Sequence, residues 1–405
     1  MPEMKWIVFR YRRANFHKYL PETIYFLNQK LYNVKGVKIP IFYILQYFRK
    51  NYKYFYKGVF IMADILSEIK TRAKVKNKNI VLTEGEDKRV VEAAVKVVKE
   101  GFARITLLGN KEEIEKANAG VDLAGVNVVD PKTFAKTDEY AAMLYKAREG
   151  KINKKTNLPE YADVNAAKLA ILKDYAMYGA LMLKAGDVDG MVSGACHSTA
   201  NTLRPGLQVI KTAPGINTVS SSFIMIAPAP HKYNPDGVAV FADCAINIEP
   251  DANQIADIAI SSAATAKNIA GIEPRVAMLS FSTKGSGNDD KYFKSVPKMQ
   301  EATRIAKENA PDLILDGEFQ FDAATAPEVG KLKAPDSKVA GNANVFIFPN
   351  INAGNIGYKI AQRFGGYMAL GPICQGFAKP INDLSRGCNA DDVVAVVAIT
   401  ALQAE

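Results

Sequence analysis

From Met62 onward, short runs of β-forming residues alternate with helical patterns, and this alternation restricts the fold more than any other feature of the sequence. Asn79–Leu82 precedes an amphipathic stretch over Lys88–Glu100, and Arg104–Leu108 follows it. Strands that are separated by helices are typical of βαβ units, so we predict an α/β protein with mainly parallel sheets. Further predicted strands are Asn127–Val129, Val188–Val192, Val219–Ile226, Val238–Ala242, Arg275–Phe281, Leu313–Leu315 and Val345–Phe348.

A chain of 405 residues can form more than one hydrophobic core. We predict two three-layer α/β/α domains with an active-site cleft between them. Residues 62–217 and 366–405 would form the first domain, and residues 218–365 would form the second. Ligands of such folds bind at the carboxyl ends of parallel strands, so the strand-end loops are the first places to look for a site.

The net charge of +10 comes from the first 61 residues, which hold 12 basic side chains against Glu3 and Glu22. Residues 62–405 are therefore neutral overall and do not indicate a nucleic-acid partner. The basic aromatic extension fits a transit peptide poorly because it lacks Ser, and an arm that binds membranes or nucleic acid is a further alternative. We interpret it as non-native or disordered, with translation starting at Met62. No uninterrupted apolar run is long enough for a membrane span, so we expect no membrane partner.

The cysteines lie far apart, without the paired spacing of a zinc site or a disulfide framework. The three histidines are too few for a histidine-based metal centre in the body of the chain. We therefore predict no metal and a cytoplasmic location, where thiols stay reduced. The cysteines are Cys196, Cys244, Cys374 and Cys388.

The segment from Ser385 to Asp392 places a hydroxyl, a guanidinium and carboxylates at the start of the predicted helix Ala390–Gln403. Unpaired N–H groups and the helix dipole make such a helix N-terminus suitable for an anionic ligand. Asn389 and Asp392 have an alternative role, because both suit a helix cap. Ser385 and Arg386 have no comparable structural reason to be there, and we regard them as site candidates.

The loop Ser193–Pro205 contains hydroxyls, small residues and one fixed cation, which together suit an oxyanion or a phosphate. Ser198, Thr199 and Arg204 are the candidate ligands, although the hydroxyls would equally cap the following helix. The dipeptide Cys196-His197 also suggests a Cys/His nucleophile. We rank this hypothesis lower because adjacent side chains rarely face each other.

A glycine-rich loop follows the predicted strand Arg275–Phe281. Its glycines allow backbone N–H groups to converge on an anion, and a lysine adds positive charge. Its spacing matches neither a Walker A loop nor a dinucleotide-binding fingerprint, so an NTP or dinucleotide site has little support. The candidate ligands in this loop are Ser282, Lys284, Gly285 and Gly287.

Three other loops are less specific. Pro349–Gly357 is glycine-rich and leads into a predicted helix, Tyr358–Phe364, which makes Asn352 a candidate ligand. Asp243–Pro250 supplies carboxylates that Mg²⁺ would accept, but a solvated turn with a helix cap is the favoured interpretation. The polar stretch Lys151–Asp163 predicts a surface loop.

Taken in order, these loops resemble the motifs of the phosphate acetyl/butyryl transferase family from about Met62 to Glu405. So many ordered matches make the resemblance specific, whereas residues 1–61 have no counterpart in it. The matching stretches are Thr83–Asp87, Asp189–Gly194, His197–Pro205, Ala242–Asn247, Leu279–Gly287, Asp316–Ala323, Phe348–Asn355, Gly371–Gly376 and Asp383–Gly387.

The resemblance implies phosphate acetyltransferase activity, which is the reversible transfer of an acetyl group between coenzyme A and phosphate. Acetyl-CoA, phosphate and acetyl phosphate would be the ligands, with coenzyme A as a substrate and no tightly bound cofactor, metal or covalent acyl-enzyme. It further implies that Asp392 is the base for the thiol, that Ser385 binds the oxyanion or the thiol, and that Arg386 holds acetyl phosphate. Arg204 and Arg148 would be further arginines of the site.

Two alternatives remain within this resemblance. One is a phosphate butyryltransferase, and the other is a non-catalytic homologue that senses acetyl-CoA. The complete set of Ser385, Arg386 and Asp392 speaks against the sensor. We also expect a homodimer, because an apolar helix such as Val393–Leu402 would suit a dimer surface.

Overall fold

The computed structural model describes residues 65–288 and 294–404, together with the backbone of residues 31–34 and 37–40. Leu31–Val34 (β1) and Val37–Pro40 (β2) pair as an antiparallel hairpin within a unit of their own, Met1–Val59. The interpretation of residues 1–61 as non-native or disordered otherwise concerns residues outside the described ranges.

The strands of the larger unit, Phe60–Glu405, agree in type and order with most of the predicted β-runs. In chain order they are Asn79–Leu82 (β3), Arg104–Leu108 (β4), Asn127–Val129 (β5), Ile152–Asn153 (β6), Leu158–Pro159 (β7), Gly190–Ser193 (β8), Ser220–Ile226 (β9), Val238–Ala242 (β10), Val276–Leu279 (β11), Leu315–Phe319 (β12), Val345–Ile347 (β13), Met368–Gln375 (β14) and Ile381–Asp383 (β15).

Helices connect most of these strands. In chain order they are residues 65–76 (α1), Lys88–Glu100 (α2), Lys111–Ala117 (α3), Thr137–Arg148 (α4), Val164–Ile171 (α5), Tyr175–Ala185 (α6), Thr199–Pro205 (α7), which continues into a π-helical turn at Gly206–Ile210, Ala252–Asn268 (α8), Ser295–Asn309 (α9), Phe321–Thr325 (α10), Pro327–Lys333 (α11), Ile351–Arg363 (α12) and Ala390–Gln403 (α13).

Local sequence explains the bounds of α2, the helix that follows the central strand of the first sheet. The Asp87 carboxylate accepts a hydrogen bond of 2.8 Å from the backbone N–H of Arg89 and so caps the first turn. Gly101 ends the helix in a left-handed conformation, at φ +68°, which glycine adopts without a steric penalty. Val90 and Val97 lie on the buried face of the helix.

The first sheet contains five strands in the order β15–β8–β3–β4–β5, and every neighbouring pair is parallel. The carboxyl ends of β15, β8 and β3 therefore lie side by side at one edge of the sheet. Three loops from distant parts of the sequence meet there, beginning at Leu384, Gly194 and Thr83.

The second sheet contains six strands in the order β12–β11–β13–β10–β9–β14. The four strands from β12 to β10 are parallel, whereas β9 runs antiparallel to both β10 and β14. The mixed α/β class with mainly parallel sheets is thus confirmed. The division into domains at residues 217/218 and 365/366 stays a prediction. β14 lies in the segment predicted to complete the first domain, but it pairs with β9 in the second sheet.

α13 is a core helix rather than a surface helix. Every residue from Val393 to Leu402 is buried, and the helix packs against α2 and the first sheet. The suggestion that this helix provides a dimer surface is therefore wrong, because its apolar residues already contact the protein's own core. Its continuous apolar sequence matches burial on all sides.

Two loop predictions differ from the observed structure. The stretch predicted as a surface loop at Lys151–Asp163 contains a short antiparallel hairpin, β6–β7, with exposed residues. The loop predicted at Pro349–Gly357 is mostly the first part of α12, because the Asn350 side chain caps the helix at the N–H of Ala353. Among the described residues, no helix has both the length and the apolarity that a bilayer span requires.

Candidate active site

Glu84 organises the loop that follows β8. Its carboxylate is buried and accepts hydrogen bonds from the backbone N–H groups of Ala195, at 2.7 Å, and Cys196, at 2.9 Å. The Nδ1–H of His197 donates to the same carboxylate at 2.7 Å. Three donors thus satisfy a carboxylate that would otherwise be costly to bury. The same hydrogen bonds fix the backbone of the loop after β8 at Ala195 and Cys196.

Arg89 joins the loop after β8 to the loop after β15. Nη1 donates to the carbonyl oxygens of Arg386, at 2.8 Å, and Cys388, at 2.9 Å. Nη2 donates to the carbonyl of Ala195 at 2.8 Å and to Asp87 at 2.6 Å, while Nε also donates to Asp87. All five N–H donors of the guanidinium are used, so Arg89 fixes the spacing of the two loops.

Asp383 provides a second link between the same loops. The hydroxyl of Thr199 donates to its buried carboxylate at 2.6 Å, and burial raises the pKa of this carboxylate. Gly194, at φ +108°, passes so close that a Cβ atom at this position would collide with Asp383 Oδ1. The adjacent Ser198 caps α7 by accepting from the N–H of Asn201, as the alternative interpretation of these hydroxyls anticipated.

Ser385 and Arg386 lie at the exposed surface of the loop between β15 and α13. The Ser385 Oγ accepts from the N–H of Gly387 at 3.2 Å, which leaves its own proton available for donation. Within the described ranges, no ion pair or hydrogen bond engages the Arg386 guanidinium, although its carbonyl is held by Arg89. A fixed backbone thus presents one hydroxyl and one open cation to solvent.

Asp392 takes part in the cap of α13. Its Oδ2 accepts from the N–H of Asn389 at 2.9 Å, and Asn389 Oδ1 accepts from the N–H of Asp392 at 3.0 Å. This is a complete capping box, so the structural interpretation of these residues is confirmed. The cap uses Oδ2 only, and Asp392 remains exposed.

Arg148 and Arg204 lie near the same tyrosine. Arg148 ends α4 and pairs with Glu160, which lies beyond the β6–β7 hairpin, at 2.6 Å from Nη2. Arg204 is exposed on α7 and bonds to the side chain of Asn201. Burial and the charge of Glu160 raise the pKa of Tyr161, and both arginines oppose this shift, which places both within electrostatic range of its ring.

The glycine-rich loop after β11 converges on an anion, but that anion belongs to the protein. The buried carboxylate of Glu318 accepts from the N–H of Gly285 at 2.7 Å and from the hydroxyl of Ser282 at 2.8 Å. The N–H of Gly287 donates to the Ser282 Oγ at 2.9 Å. Lys284 forms an ion pair with Asp316 at 2.8 Å.

The remaining candidate, Asn352, is exposed in the first turn of α12. The nearby Asp243 is buried rather than solvated, and its carboxylate accepts from the N–H groups of Ala245 and Asn247, each at 2.9 Å. The favoured solvated turn is therefore wrong at this position. In the ranges that the structure describes, no cluster of three or more His, Cys, Asp or Glu side chains could hold a metal ion.

The Cys/His nucleophile has no support in the geometry. Cys196 Sγ donates to Asp87 at 3.1 Å, whereas His197 turns to Glu84. Reduced hydration and the hydrogen bond to Asp87 raise the pKa of Cys196 to about 12, so the thiol stays protonated near neutral pH.

The structure brings together Thr199, Ser385 and Arg386 through Asp383 and Arg89. Ser282, Lys284, Gly285 and Gly287 form a separate cluster around Glu318 and Asp316. Sequence reasoning assigned no role to Glu84, Arg89 or Asp383. For Glu84 and Asp383, the available signal was a charged residue just after, or at the end of, a buried strand, where solvation alone cannot account for the charge. Arg89 lies in the first turn of α2 and gave no such signal.

The chain resembles known proteins over most of its length. The family described as phosphate acetyl/butaryl transferase matches residues 64–401. The phosphate acetyltransferase of Clostridium acetobutylicum is 48% identical over 347 residues, which cover 84% of this chain and 99% of that protein. The phosphate acetyltransferase of Bacillus subtilis is 48% identical over 345 residues, which cover 85% of this chain and 100% of that protein.

A solved structure also resembles this chain. The crystal structure of a phosphotransacetylase from Streptococcus pyogenes is 45% identical, with a TM-score of 0.76 over 84% of this chain and 98% of that chain. Sequence and fold therefore lead to the same assignment: the chain belongs to the phosphate acetyl/butyryl transferase family.

Proposed function

We propose that this protein catalyses the reversible transfer of an acetyl group between coenzyme A and inorganic phosphate. The observation that carries the proposal is the open Arg386 guanidinium beside Ser385, on a loop that Arg89 and Asp383 fix against the Thr199 segment. Family membership and the names of its relatives support the same reaction.

In the direction of acetyl-CoA synthesis, a thiol must lose its proton and attack the carbonyl carbon of acetyl phosphate. Asp392 accepts that proton through the carboxylate oxygen that the cap does not use. The capping hydrogen bonds already hold the Asp392 carboxylate in one position, so binding of the thiol does not have to order this side chain. Coenzyme A is a substrate in this scheme, and no tightly bound cofactor takes part.

Ser385 and Arg386 act on the charge that develops during the transfer. The Ser385 proton is free to donate to the carbonyl oxygen as it becomes an oxyanion, and Arg386 binds the phosphoryl oxygens of acetyl phosphate. Their backbone is fixed before the substrate arrives, which lowers the cost of ordering them in the transition state.

Arg204 and Arg148 extend the anion-binding surface for inorganic phosphate, acetyl phosphate and the phosphates of coenzyme A. Ser198 and Thr199 line the approach from α7, and the proposal also includes Ser282, Lys284, Gly285, Gly287 and Asn352 as contacts to phosphate or coenzyme A. Arg148 and Lys284 are already paired with carboxylates, so a ligand has to share or displace those ion pairs. The exposed Arg204 is the more accessible cation.

Phosphate-dependent release of coenzyme A from acetyl-CoA is the direct test, with butyryl-CoA measured in parallel. Rapid turnover of acetyl-CoA supports the proposal. A preference for butyryl-CoA assigns the chain to the butyryltransferases of the family. A folded protein that binds acetyl-CoA but releases no coenzyme A contradicts catalysis and favours the sensor.

The proposal includes a homodimer and a cytoplasmic location. Ile356, Ile360 and Phe364 are exposed at four-residue intervals along and just beyond α12, and Phe364 is 92% exposed. A second copy of the chain covers this apolar stripe in the proposed dimer. Light scattering of the wild type and of Phe364→Lys tests it, since the variant should shift toward the monomer. The free cysteines suit a reducing compartment.

A further inference from the structure

His197 is a titratable group that the scheme above leaves unused. Its Nδ1–H donates to Glu84 at 2.7 Å, and the carboxylate is 1% exposed while the imidazole is 46% exposed. Among the described residues, nothing bonds to Nε2. A buried carboxylate that orients one ring nitrogen, with the other nitrogen open to solvent, is the arrangement by which proteins fix an imidazole for proton transfer.

His197 lies on the loop after β8, which Arg89 holds beside the loop that carries Arg386. It directly precedes Ser198 and Thr199, and Arg89 holds the carbonyls of Ala195 and Arg386 on one guanidinium. The loop that carries the imidazole is therefore fixed next to the loop of Arg386, the residue that binds the phosphoryl oxygens in the proposed reaction.

The reaction needs a proton donor at that place. When a thiolate attacks the acetyl phosphate dianion, the carbon–sulfur bond forms and the carbon–oxygen bond to phosphate breaks. Without a proton, the leaving group is the phosphate trianion, a much stronger base than hydrogen phosphate and a poor leaving group. A donor to the bridging oxygen lowers this barrier.

We propose that His197, oriented by Glu84, is the general acid that protonates the departing phosphate and the general base that deprotonates it in the reverse direction. This assignment rests on the proposed acetyl transfer. Thiol and acetyl phosphate dianion give thioester and hydrogen phosphate dianion, so one proton leaves sulfur and one reaches oxygen. Asp392 accepts the proton that leaves sulfur, and His197 supplies the proton that reaches the phosphate oxygen. Proton exchange with solvent returns both side chains to their initial protonation states after each turnover.

Two carboxylates interact with the imidazole, since Glu84 bonds to it and Glu86 interacts with its charge. Cys196 bonds to Glu84 through its N–H and to Asp87 through its thiol, and Asp87 is paired with Arg89. Partial burial and the charge of Glu84 raise the pKa of Glu86, and the charge of His197 opposes this shift.

His197→Gln and the neighbouring variant Cys196→Ala are compared in both directions. We expect His197→Gln to lower kcat for acetyl-CoA synthesis by about 10²-fold or more, with a smaller change in the KM of acetyl phosphate. Cys196→Ala should stay within about twofold of wild type, because its thiol lies in the same loop but takes no part in the reaction. Circular dichroism checks that both variants are folded.

The pH profiles distinguish proton transfer from a structural role. Synthesis of acetyl-CoA requires a proton donor at His197, so wild-type kcat should decrease toward alkaline pH. Phosphorolysis of acetyl-CoA requires a proton acceptor there, so that rate should decrease toward acidic pH. His197→Gln should lose both of these opposite dependences.

Imidazole added to His197→Ala should restore part of the rate. Activity of His197→Gln within about twofold of wild type would overturn the proposal, as would a slow variant that keeps both pH dependences. If the wild type transfers no acetyl group, the proposed reaction itself is wrong. This outcome is distinct from a failure of the His197 assignment alone.

Discussion

Arg89 Nη1 donates a hydrogen bond of 2.8 Å to the backbone carbonyl of Arg386, although 297 residues separate the two arginines in sequence. Arg89 thus positions the backbone of Arg386 without a hydrogen bond to its guanidinium. Because Arg89 is held by Asp87, the charge of the first arginine is compensated, while that of Arg386 remains open to an anion.

Replacing Arg89 by Lys should separate the loop after β8 from the loop after β15. A lysine has three donors and cannot reproduce the five hydrogen bonds, so we expect kcat to fall by about 10²-fold as Ser385 and Arg386 lose their alignment. Amide hydrogen exchange at residues 384–389 should accelerate. Arg72→Lys is the control, because Arg72 donates to the carbonyls of Asn268 and Ile269 away from this loop. Unchanged exchange in Arg89→Lys would contradict the positioning role.

Asp392→Asn tests the base in the proposed mechanism. The amide oxygen still accepts at the helix cap, so we expect the fold and substrate KM values to change little while kcat falls by about 10²-fold or more. Asp391→Asn is the matched control, since Asp391 lies in the same helical turn but pairs with Lys96. Near-normal turnover of Asp392→Asn would remove Asp392 from the role of base.

Arg204→Gln and Arg386→Gln should raise the KM of phosphate and acetyl phosphate, because each removes an exposed cation next to the loops after β8 and β15. A loss of roughly tenfold or more in apparent affinity corresponds to one charge-assisted hydrogen bond, or about 1.5–3 kcal/mol. Steady-state kinetics in both directions measure this change. Arg304→Gln on α9, whose guanidinium pairs with Glu301 and Glu308, should leave both constants unaltered.

Asp316 should contribute to acid stability. Although burial opposes it, hydrogen bonds from Lys284 and Lys307 lower the pKa of Asp316 from 3.8 to about 2. Since the folded-state pKa is the lower one, this stabilisation is complete above about pH 4 and is lost as the pH falls toward 2. Denaturant unfolding of wild type and Asp316→Asn should differ by about 2 kcal/mol near pH 6 and converge in acid.

The comparison needs a control for general effects of removing a carboxylate. Asp322→Asn is suitable, because Asp322 is mostly exposed in its ion pair with Lys333. Its effect on the free energy of unfolding should be below about 1 kcal/mol at every pH. A difference between wild type and Asp316→Asn that does not vary with pH would count against the ion pairs as its cause.

Cys196 should react slowly with alkylating reagents despite its exposure. Its pKa of about 12 leaves almost no thiolate at pH 8, so we expect iodoacetamide to modify it about 10²-fold more slowly than a free cysteine of ordinary pKa. Peptide mass spectrometry after timed labelling gives the rate. Rapid labelling at pH 8 would show that the hydrogen bond to Asp87 does not hold the thiol in its protonated form.

The sequence predicted the fold class because hydrophobic alternation is a local property. The bounds of β3, β4, β5 and β10 agree with the runs from which they were predicted. β14 and β15 were missed, since Met368–Gln375 contains glycine and proline and Ile381–Asp383 has only three residues. The pairing of such short strands depends on distant neighbours, which no local pattern contains.

The site was predictable in part for the same reason. Asn389 and Asp392 form a cap whose two partners lie three residues apart, so the sequence contained the whole interaction. The hydrogen bond between Arg89 and Arg386 has no local pattern. The loop around Gly285 was predicted to bind an anion, and the protein itself supplies one in Glu318, which lies 33 residues further along the chain.

The late position of β15 has a consequence for synthesis of the protein on the ribosome. β3, β4, β5 and β8 can assemble once residue 193 has emerged, but β8 then remains an unpaired sheet edge until residues 381–383 arrive. An uncovered, apolar edge is a site for aberrant association between nascent chains. Chaperone occupancy should therefore persist until α13 emerges and closes the first sheet.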